Sequence, residues 1–189
     1  MLNDKINLPE DLGRCVAFHG HLCPGVVLGY CAAKFGMGEL AAGRSEDEEF
    51  ITIVENDTCA VDAIQVLTGC TFGKGNLYFH DYGKMVFTFA RRSDGRSVRL
   101  YYQPINQPEV GDVPESQRRQ RQIEFLLSHD PLDLFQMQKN VLDRLPMRAR
   151  IHENRVCDYC GEWLMTTRAR QCYDKIVCIP CNDEYLLED

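Results

Sequence analysis

Two cysteine pairs near the C-terminus constrain the fold of this chain more than any other feature of its sequence. Cys157-Asp158-Tyr159-Cys160 and Cys178-Ile179-Pro180-Cys181 are separated by 17 residues. Paired Cys-x-x-Cys units at this spacing supply four thiolates for tetrahedral zinc in a closed structural site. So short a segment cannot build a core of its own without metal. The sequence therefore predicts a small zinc-dependent domain over residues 156–189, following a larger domain over residues 1–155.

The residues around the four cysteines predict the type of finger. Gly161 follows the first pair, as in a zinc knuckle, and the second pair precedes residues 182–187, which suit a helix. A knuckle, a hairpin and a ligand-bearing helix are typical of a treble-clef finger. Residues 157–189 contain three Lys or Arg against seven Asp or Glu, so a protein-binding module is favoured over a DNA-binding one. A finger that only holds its own fold is the alternative, and Cys172 falls outside the four-ligand set.

Composition limits what the larger domain does. The 189 residues are 44% hydrophobic, enough for one core of about 130 to 150 residues plus an appendage. The net charge of -7 argues against a nucleic-acid footprint. We expect no membrane segment and no signal peptide, and hence a cytoplasmic protein. Thiols stay reduced in that compartment, so ten cysteines indicate metal binding or redox chemistry rather than disulfides.

Hydrophobic periodicity, caps and turn signals predict an α+β body. The predicted helices cover residues 8–18, 24–39, 58–67, 115–128 and 131–145. The predicted strands cover residues 51–54, 77–80, 84–91, 96–102 and 148–156. An Asp-Gly turn at residues 94–95 predicts a hairpin between two of these strands.

The N-terminal motif His19-Gly20-His21-Leu22-Cys23-Pro24-Gly25 places two imidazoles and a thiol within five residues. The i, i+2, i+4 spacing puts them on one side of an extended segment. A helix beginning at Pro24 would make Cys23 its N-cap, where free backbone N–H groups and the helix dipole favour a thiolate. Cys59 is placed similarly beside the third helix. Should the two helix starts meet, both imidazoles and both thiols would form a site for zinc or another divalent ion.

Further polar residues follow on the third helix and after it. Asp62 and Gln65 share one helix face. The turn from Gly69 to Asn76 is one residue short of a phosphate loop and lacks the Ser or Thr after Lys74, so a nucleotide triphosphatase is not supported. The turn either presents Lys74 and backbone N–H groups to an anion or is a tight glycine turn. Tyr82 adds a phenol beside the next strand.

Four motifs in order, at residues 19–25, 59–65, 69–77 and 81–84, resemble the FmdE family, which is named for a subunit of formylmethanofuran dehydrogenase. The resemblance implies a thioredoxin-like α+β core with a mixed five-stranded sheet flanked by helices, and a C-terminal treble-clef zinc finger. It also implies a metal-capable active site built from the motif His and Cys residues, and a homodimer. Many members accompany molybdenum or tungsten formylmethanofuran dehydrogenase operons. Because the molybdopterin and iron–sulfur chemistry belongs to other subunits, an accessory role beside an oxidoreductase is implied.

Two classes of function remain open from the sequence. In the first, a metal-dependent or thiolate-dependent catalyst or redox partner, Cys23 and Cys59 hold a metal or react as thiolates, and His19 or His21 serves as ligand or proton relay. A small anionic substrate would then be bound by the remaining polar set, Asp62, Gln65, Lys74, Asn76 and Tyr82. In the second, the chain is a non-catalytic metal or cofactor carrier, or an assembly subunit. These polar groups exceed what a carrier needs, which favours the first class.

Overall fold

The structure, a computed structural model, describes residues 8–104 and 114–185. The chain divides into two compact units, Met1–Arg148 and Ala149–Asp189. In the first unit, the elements are α1 (Glu10–His19), α2 (Pro24–Glu39), β1 (Phe50–Val54), α3 (Ala60–Thr68), β2 (Leu77–Phe79), β3 (Val86–Arg91), β4 (Ser97–Tyr102), α4 (Glu115–Ser128), α5 (Pro131–Leu134) and β5 (Phe135–Lys139).

The first unit is built on a mixed five-stranded sheet with the order β2-β1-β3-β4-β5. Only the β1–β2 pair is parallel, and the other three pairs are antiparallel. Helices α1 to α4 and the strands bury one large apolar core that includes Val26, Phe87 and Leu100. The predicted α+β fold with a mixed five-stranded sheet and flanking helices is confirmed.

A smaller apolar cluster covers the opposite face of the sheet. Ile51, Ile53 and Ala90 point to this side, and Leu142 and Leu145 pack against them. Successive side chains of β1 point to opposite faces of the sheet, and apolar residues cover both faces. All five residues of β1 are therefore buried.

Helix ends and turns lie close to where the sequence predicts them. Helix α1 ends where Gly20 takes the left-handed conformation at φ 97°, and α3 ends at Gly69 with φ 70°. Such positions favour glycine because no Cβ is strained there. Gly95 has φ 72° in the hairpin between β3 and β4, as its Asp-Gly signal predicts.

The prediction of a helix over residues 131–145 is wrong. The helix stops at Leu134, and Phe135–Lys139 forms β5, antiparallel to β4. The segment reads Phe-Gln-Met-Gln-Lys, with Phe135 buried and Met137 half-buried while both glutamines are exposed. This alternation suits an edge strand, and pairing with β4 outweighs the helical propensity of Gln and Met. Likewise, only Asn154–Val156 of the strand predicted at 148–156 is extended in a sheet.

The second unit contains two short antiparallel pairs and a helix. Its elements are β6 (Asn154–Val156) paired with β7 (Trp163–Met165), β8 (Arg170–Cys172) paired with β9 (Lys175–Val177), and α6 (Ile179–Tyr185). Residues 186 and 187 of the helix predicted here lie outside the described residues. Among the described residues of this unit, the buried core consists of Cys157, Val177 and Cys181, too little apolar surface to hold the unit alone.

None of the helices in the described ranges is both long and apolar enough to cross a membrane.

Candidate metal centres and the adjoining cleft

The His19-x-His21-x-Cys23 motif forms a compact set of metal-ligating side chains. Helix α1 ends at His19, the chain turns at Gly20, and Cys23 is extended at φ -144° before α2 begins. One ligand atom from each of the three residues lies within 4.8 Å of the others. The Sγ atom of Cys23 is 3.8 Å from Nε2 of His19, and the two imidazole ring centres are 4.6 Å apart.

Cys23 occupies the N-cap of α2, as the sequence predicts. Its Sγ accepts a hydrogen bond from the backbone N–H of Val26 at 3.4 Å. Only 8% of Cys23 is exposed, whereas His21 is exposed and His19 is half-buried. The thiol is therefore held at the base of the set, and the imidazoles lie nearer to solvent.

Asp62 fixes the orientation of His19. Its Oδ2 atom is 2.7 Å from Nδ1 of His19, which leaves Nε2 directed toward Cys23. A carboxylate that accepts from one imidazole nitrogen sets the tautomer that frees the other nitrogen for a metal. The sequence predicts that Asp62 binds substrate, but its direct contact is with this histidine.

The starts of α2 and α3 meet, as the predicted four-residue site requires. A Cβ built on Gly25 would lie 2.9 Å from Cβ of Cys59, and one built on Gly29 would lie 2.1 Å from the carbonyl oxygen of Ala60. Only glycine permits this approach of the two helices. Cys59 thereby comes beside Cys23: burial, and after it the neighbouring Cys23 thiol, raise the pKa of Cys59. The set within 4.8 Å comprises His19, His21 and Cys23 and does not include Cys59.

The chemistry of these donors fits a divalent transition ion. On tetrahedral zinc, a thiolate at about 2.3 Å and an imidazole nitrogen at about 2.0 Å are about 3.6 Å apart. The 3.8 Å between Cys23 and His19 is close to that separation. Two imidazoles and one thiolate would supply three protein ligands, which leaves a fourth tetrahedral position for water or another ligand.

An open cleft of about 430 Å³ adjoins this site. His19, Cys59, Asp62 and Gln65 form one wall. The rest of the lining is largely apolar or belongs to the loop before α3: Val54, Asn56, Asp57, Thr58, Val61, Phe72, Leu77 and Phe79. The volume is in the range of small-molecule sites.

Two predicted substrate-binding residues are engaged elsewhere. Lys74 donates from Nζ to the carbonyl oxygens of Ser45 and Glu46, at 3.1 and 3.2 Å. Asn76 is fully buried, donates to the carbonyls of Asp47 and Phe50, and accepts from the N–H of Thr71. Neither side chain lines the cleft, because both secure the loop before β1. These contacts favour the tight glycine turn of the two alternatives for residues 69–76.

Tyr82 also stays outside the cleft lining. Its ring is 61% exposed and packs near His80, with Nζ of Lys84 5.8 Å from its centre. Of the five predicted substrate-binding residues, the structure brings only Asp62 and Gln65 to the cleft.

The cleft contains residues that the sequence did not single out. Asn56 accepts hydrogen bonds from the N–H and the hydroxyl of Thr58, which shapes the chain before α3. Phe72 and Phe79 are 77% and 43% exposed. Aromatic residues this exposed beside a cleft are typical of ligand contacts, and the only sequence signal for them was their position within the glycine turn and at the end of β2.

The C-terminal cysteines form a second ligand set. Sγ atoms of Cys157, Cys160, Cys178 and Cys181 all lie within 4.8 Å of one another. Two thiolates bound to one zinc are about 3.8 Å apart, and Cys160 and Cys178 are separated by 3.9 Å. Cys172 lies on β8, outside the set.

The backbone favours thiolates in this second set. Burial opposes ionisation of Cys157, but backbone N–H groups of Cys160 and Cys178 outweigh it and lower the pKa of Cys157 to about 6. The hydrogen bond that the Cys181 thiol donates to Cys178, followed by burial, raises the pKa of Cys181. Four thiols so close can all ionise only beside a cation. The set could therefore hold one metal ion, which the structure does not identify.

These features define an α+β protein with a His/Cys ligand set beside a cleft and a separate four-cysteine module. The family model described as "FmdE, Molybdenum formylmethanofuran dehydrogenase operon" matches residues 18–144. The chain belongs to the FmdE family.

A solved structure and a curated relative resemble the chain. The structure is that of a tungsten formylmethanofuran dehydrogenase FmdE-like protein from Syntrophus aciditrophicus. It has a TM-score of 0.69 and 22% identity over 93% of this chain and 91% of the other, a likeness of fold. The relative, a "Probable S-adenosyl-L-methionine-binding protein" of Archaeoglobus fulgidus, is 30% identical over 97% of this chain. The chain spans about half, 55%, of that relative's length.

Proposed function

We propose that the core unit is a metal-dependent ligand-binding protein, in which His19, His21 and Cys23 hold a divalent ion and Cys59 is an exchangeable fourth donor. The observation that carries the proposal is His19, held between Asp62 and Cys23 at the wall of an open cleft. A histidine that only packs against its neighbours needs no carboxylate partner. A histidine that binds a metal commonly donates its other ring N–H to one.

The arrangement supports reaction with a small substrate better than simple storage. A bound divalent ion would act as a Lewis acid and polarise an oxygen of the substrate. Cys59 lines the cleft and Cys23 does not, so Cys59 is the thiol that a ligand meets first. His21 is the exposed member of the set and is available as ligand or proton relay. Among described residues lining the cleft no Lys or Arg occurs, so an anionic group there would be met by the ion.

Cobalt substitution tests this proposal. Cobalt bound at the core site is isolated as the difference in visible absorption between the wild-type protein and the Cys23→Ser variant. An exchangeable position predicts that millimolar azide changes this difference spectrum, whereas a closed four-cysteine site does not respond. A core-site spectrum that azide leaves unchanged would count against substrate binding at the metal.

For the second unit we propose a structural zinc ion in a treble-clef arrangement. Support comes from the order of its parts: Cys157 and Cys160 bracket a knuckle turn after β6, the β8–β9 hairpin follows, and Cys181 lies in α6. The Gly161 N–H donates to the Cys157 carbonyl at 3.1 Å, which closes the turn.

The accessory role is the alternative for the whole chain. The family description refers to a formylmethanofuran dehydrogenase operon, which is consistent with an oxidoreductase partner. Trp163 and Tyr173 of the second unit are 74% and 75% exposed, and such rings favour protein contacts. In this alternative the chain carries a metal or cofactor to that partner or serves as an assembly subunit. For either role we propose a cytoplasmic homodimer, and light scattering would test the dimer.

S-adenosyl-L-methionine binding is a second candidate ligand function, suggested by the relative from Archaeoglobus. Asp57, Asp62 and the exposed rings of Phe72 and Phe79 line the cleft, and carboxylates and ring faces attract a sulfonium cation. Calorimetry with this compound and with neutral S-adenosyl-homocysteine tests the idea. Equal affinity, or binding of neither, would contradict recognition of the sulfonium.

A further inference from the structure

A second cavity lies next to the cleft, on the other side of Gln65. Its volume is about 390 Å³, and it is lined by Arg14, Phe18, Arg44, Gln65, Val66 and Thr71. The cleft and this cavity share Gln65. Consecutive residues are divided between them as well: Phe18 and Thr71 face the cavity, while their neighbours His19 and Phe72 face the cleft. The two hollows are therefore adjacent on one surface of the core unit.

Cationic side chains line the cavity, whereas the described residues that line the cleft include no Lys or Arg. Arg14, on α1, and Arg44, in the loop after α2, both border it, and within the described residues none of the lining groups is acidic. No ion pair to either arginine occurs in the part of the chain that the structure describes. Two unpaired guanidinium groups facing one cavity favour an oxyanion.

Arg44 is held in place before any ligand binds. Its Nε donates to the carbonyl oxygen of Val66 at 3.1 Å, and its Cγ lies 3.1 Å from where a Cβ on Gly69 would be. The bond at Nε leaves the outer nitrogens of the fork for another acceptor. Ordering this side chain on binding therefore costs little entropy.

Phe18 supplies an apolar surface beside the arginines. The ring is 61% exposed, whereas Leu12, Cys15 and Val16 of the same helix α1 are buried. An exposed ring next to two guanidinium groups fits a ligand that joins a flat ring to an anionic group.

We propose that the cavity is the anionic subsite of a ligand whose other end reaches the His19–Cys59 cleft. Arg14 and Arg44 bind its phosphate or carboxylate, Phe18 packs on its apolar part, and Gln65 lies between the two ends. This inference rests on the proposed function for the reactive end, but the anion would bind whether or not the metal is present. In this proposal the two arginines bind the anion, whereas the sequence analysis considered Lys74 for that role.

Binding of two matched probe pairs to the full chain tests the subsite. Adenosine 5′-monophosphate against adenosine isolates a phosphate, and nicotinate against nicotinamide isolates a carboxylate. Calorimetry is run on metal-loaded and metal-free protein. We expect the anionic member of at least one pair to bind about tenfold tighter than its neutral counterpart, and the pair that responds identifies the oxyanion.

Matched variants locate the interaction. Arg14→Gln and Arg44→Gln should each weaken the anionic probe about tenfold and leave the neutral one unchanged. Arg118→Gln, an exposed arginine on α4, should change neither. Arg44→Lys keeps the charge and should retain part of the affinity, which guards against a folding defect in the loop.

Distinct results separate the two proposals. No preference for either anion at about 10 mM, or equal affinities in Arg14→Gln, Arg44→Gln and Arg118→Gln, overturns the subsite. A core site that fails to bind any divalent ion, with the anion preference intact, instead contradicts the metal-dependent function and leaves the subsite standing.

Discussion

Asp62 Oδ2 and His19 Nδ1 are 2.7 Å apart, which joins α3 to the end of α1 and directs the other imidazole nitrogen toward Cys23. Asp62→Asn keeps the shape but removes the carboxylate. We expect the core site to lose about 10- to 100-fold in metal affinity, with the four-cysteine site unaffected. Competition with a chromogenic chelator measures both. Asp143→Asn, at an exposed carboxylate, is the control, and an equal affinity in the two variants would refute the orienting role.

The contact between α2 and α3 should tolerate no side chain at Gly29. An added Cβ would lie 2.1 Å from the Ala60 carbonyl oxygen, so Gly29→Ala must push the helices apart. We expect a loss of about 2–3 kcal/mol in the free energy of unfolding. Gly38→Ala, in the same helix with nothing within 4 Å, should gain about 0.5 kcal/mol. Urea denaturation of both variants checks this, and similar stabilities would mean that the close approach does not matter.

The second unit should depend on its metal for folding. In the described part of this unit, three residues form the buried core, and two of them are cysteines of the ligand set. Chelation or Cys178→Ser should abolish hydrogen-exchange protection in β6 to β9, while β1 to β5 stay protected. Cys172→Ser, outside the ligand set, should keep the unit folded. Protection that survives complete metal removal would contradict the zinc-dependent domain.

The loop before β1 should weaken only in strong acid. The Ser45 hydroxyl donates to Glu49 at 2.6 Å, and this bond, with backbone N–H groups, lowers the Glu49 pKa from 4.5 to about 2. Because the folded pKa is lowered, the carboxylate stabilises the loop fully above pH 4.5, and that stability is lost as the pH falls through 2.

Carbon-detected NMR of the Glu49 carboxyl measures this titration. Ser45→Ala should raise the midpoint toward 4.5, whereas Ser128→Ala, on α4, should not move it. A wild-type midpoint already near 4.5 would show that the hydrogen bond does not favour the carboxylate.

Local signals in the sequence predict much of this fold. The Cys23-Pro24 start of α2, the left-handed Gly69 and the Asp-Gly hairpin each depend on a few adjacent residues. The strand β5 escapes sequence-based prediction because its pairing with β4 is not local, and Gln and Met favour helix when taken alone.

The candidate site, like the fold, is predictable where it depends on adjacent residues and not where it depends on packing between distant segments. The proximity of His19, His21 and Cys23 can be predicted because they lie within five residues of each other. The predicted extended segment is not what joins them, since α1 ends at His19 and the chain turns at the left-handed Gly20. The contact of Cys59 with that segment depends on glycines in another helix, Gly25 and Gly29, packing against α3. The sequence predicts that Lys74 and Asn76 bind substrate, but it does not show that both side chains donate to backbone carbonyls of the loop before β1.

Metal content per chain tests the central claim most directly. Plasma mass spectrometry of protein purified without added metal should give about two equivalents, one for each ligand set. Cys23→Ser should lower the content to about one and leave the second unit folded, as should Cys178→Ser with the core site retained. About one equivalent in the wild-type protein, unchanged in Cys23→Ser, would contradict a metal centre at His19, His21 and Cys23.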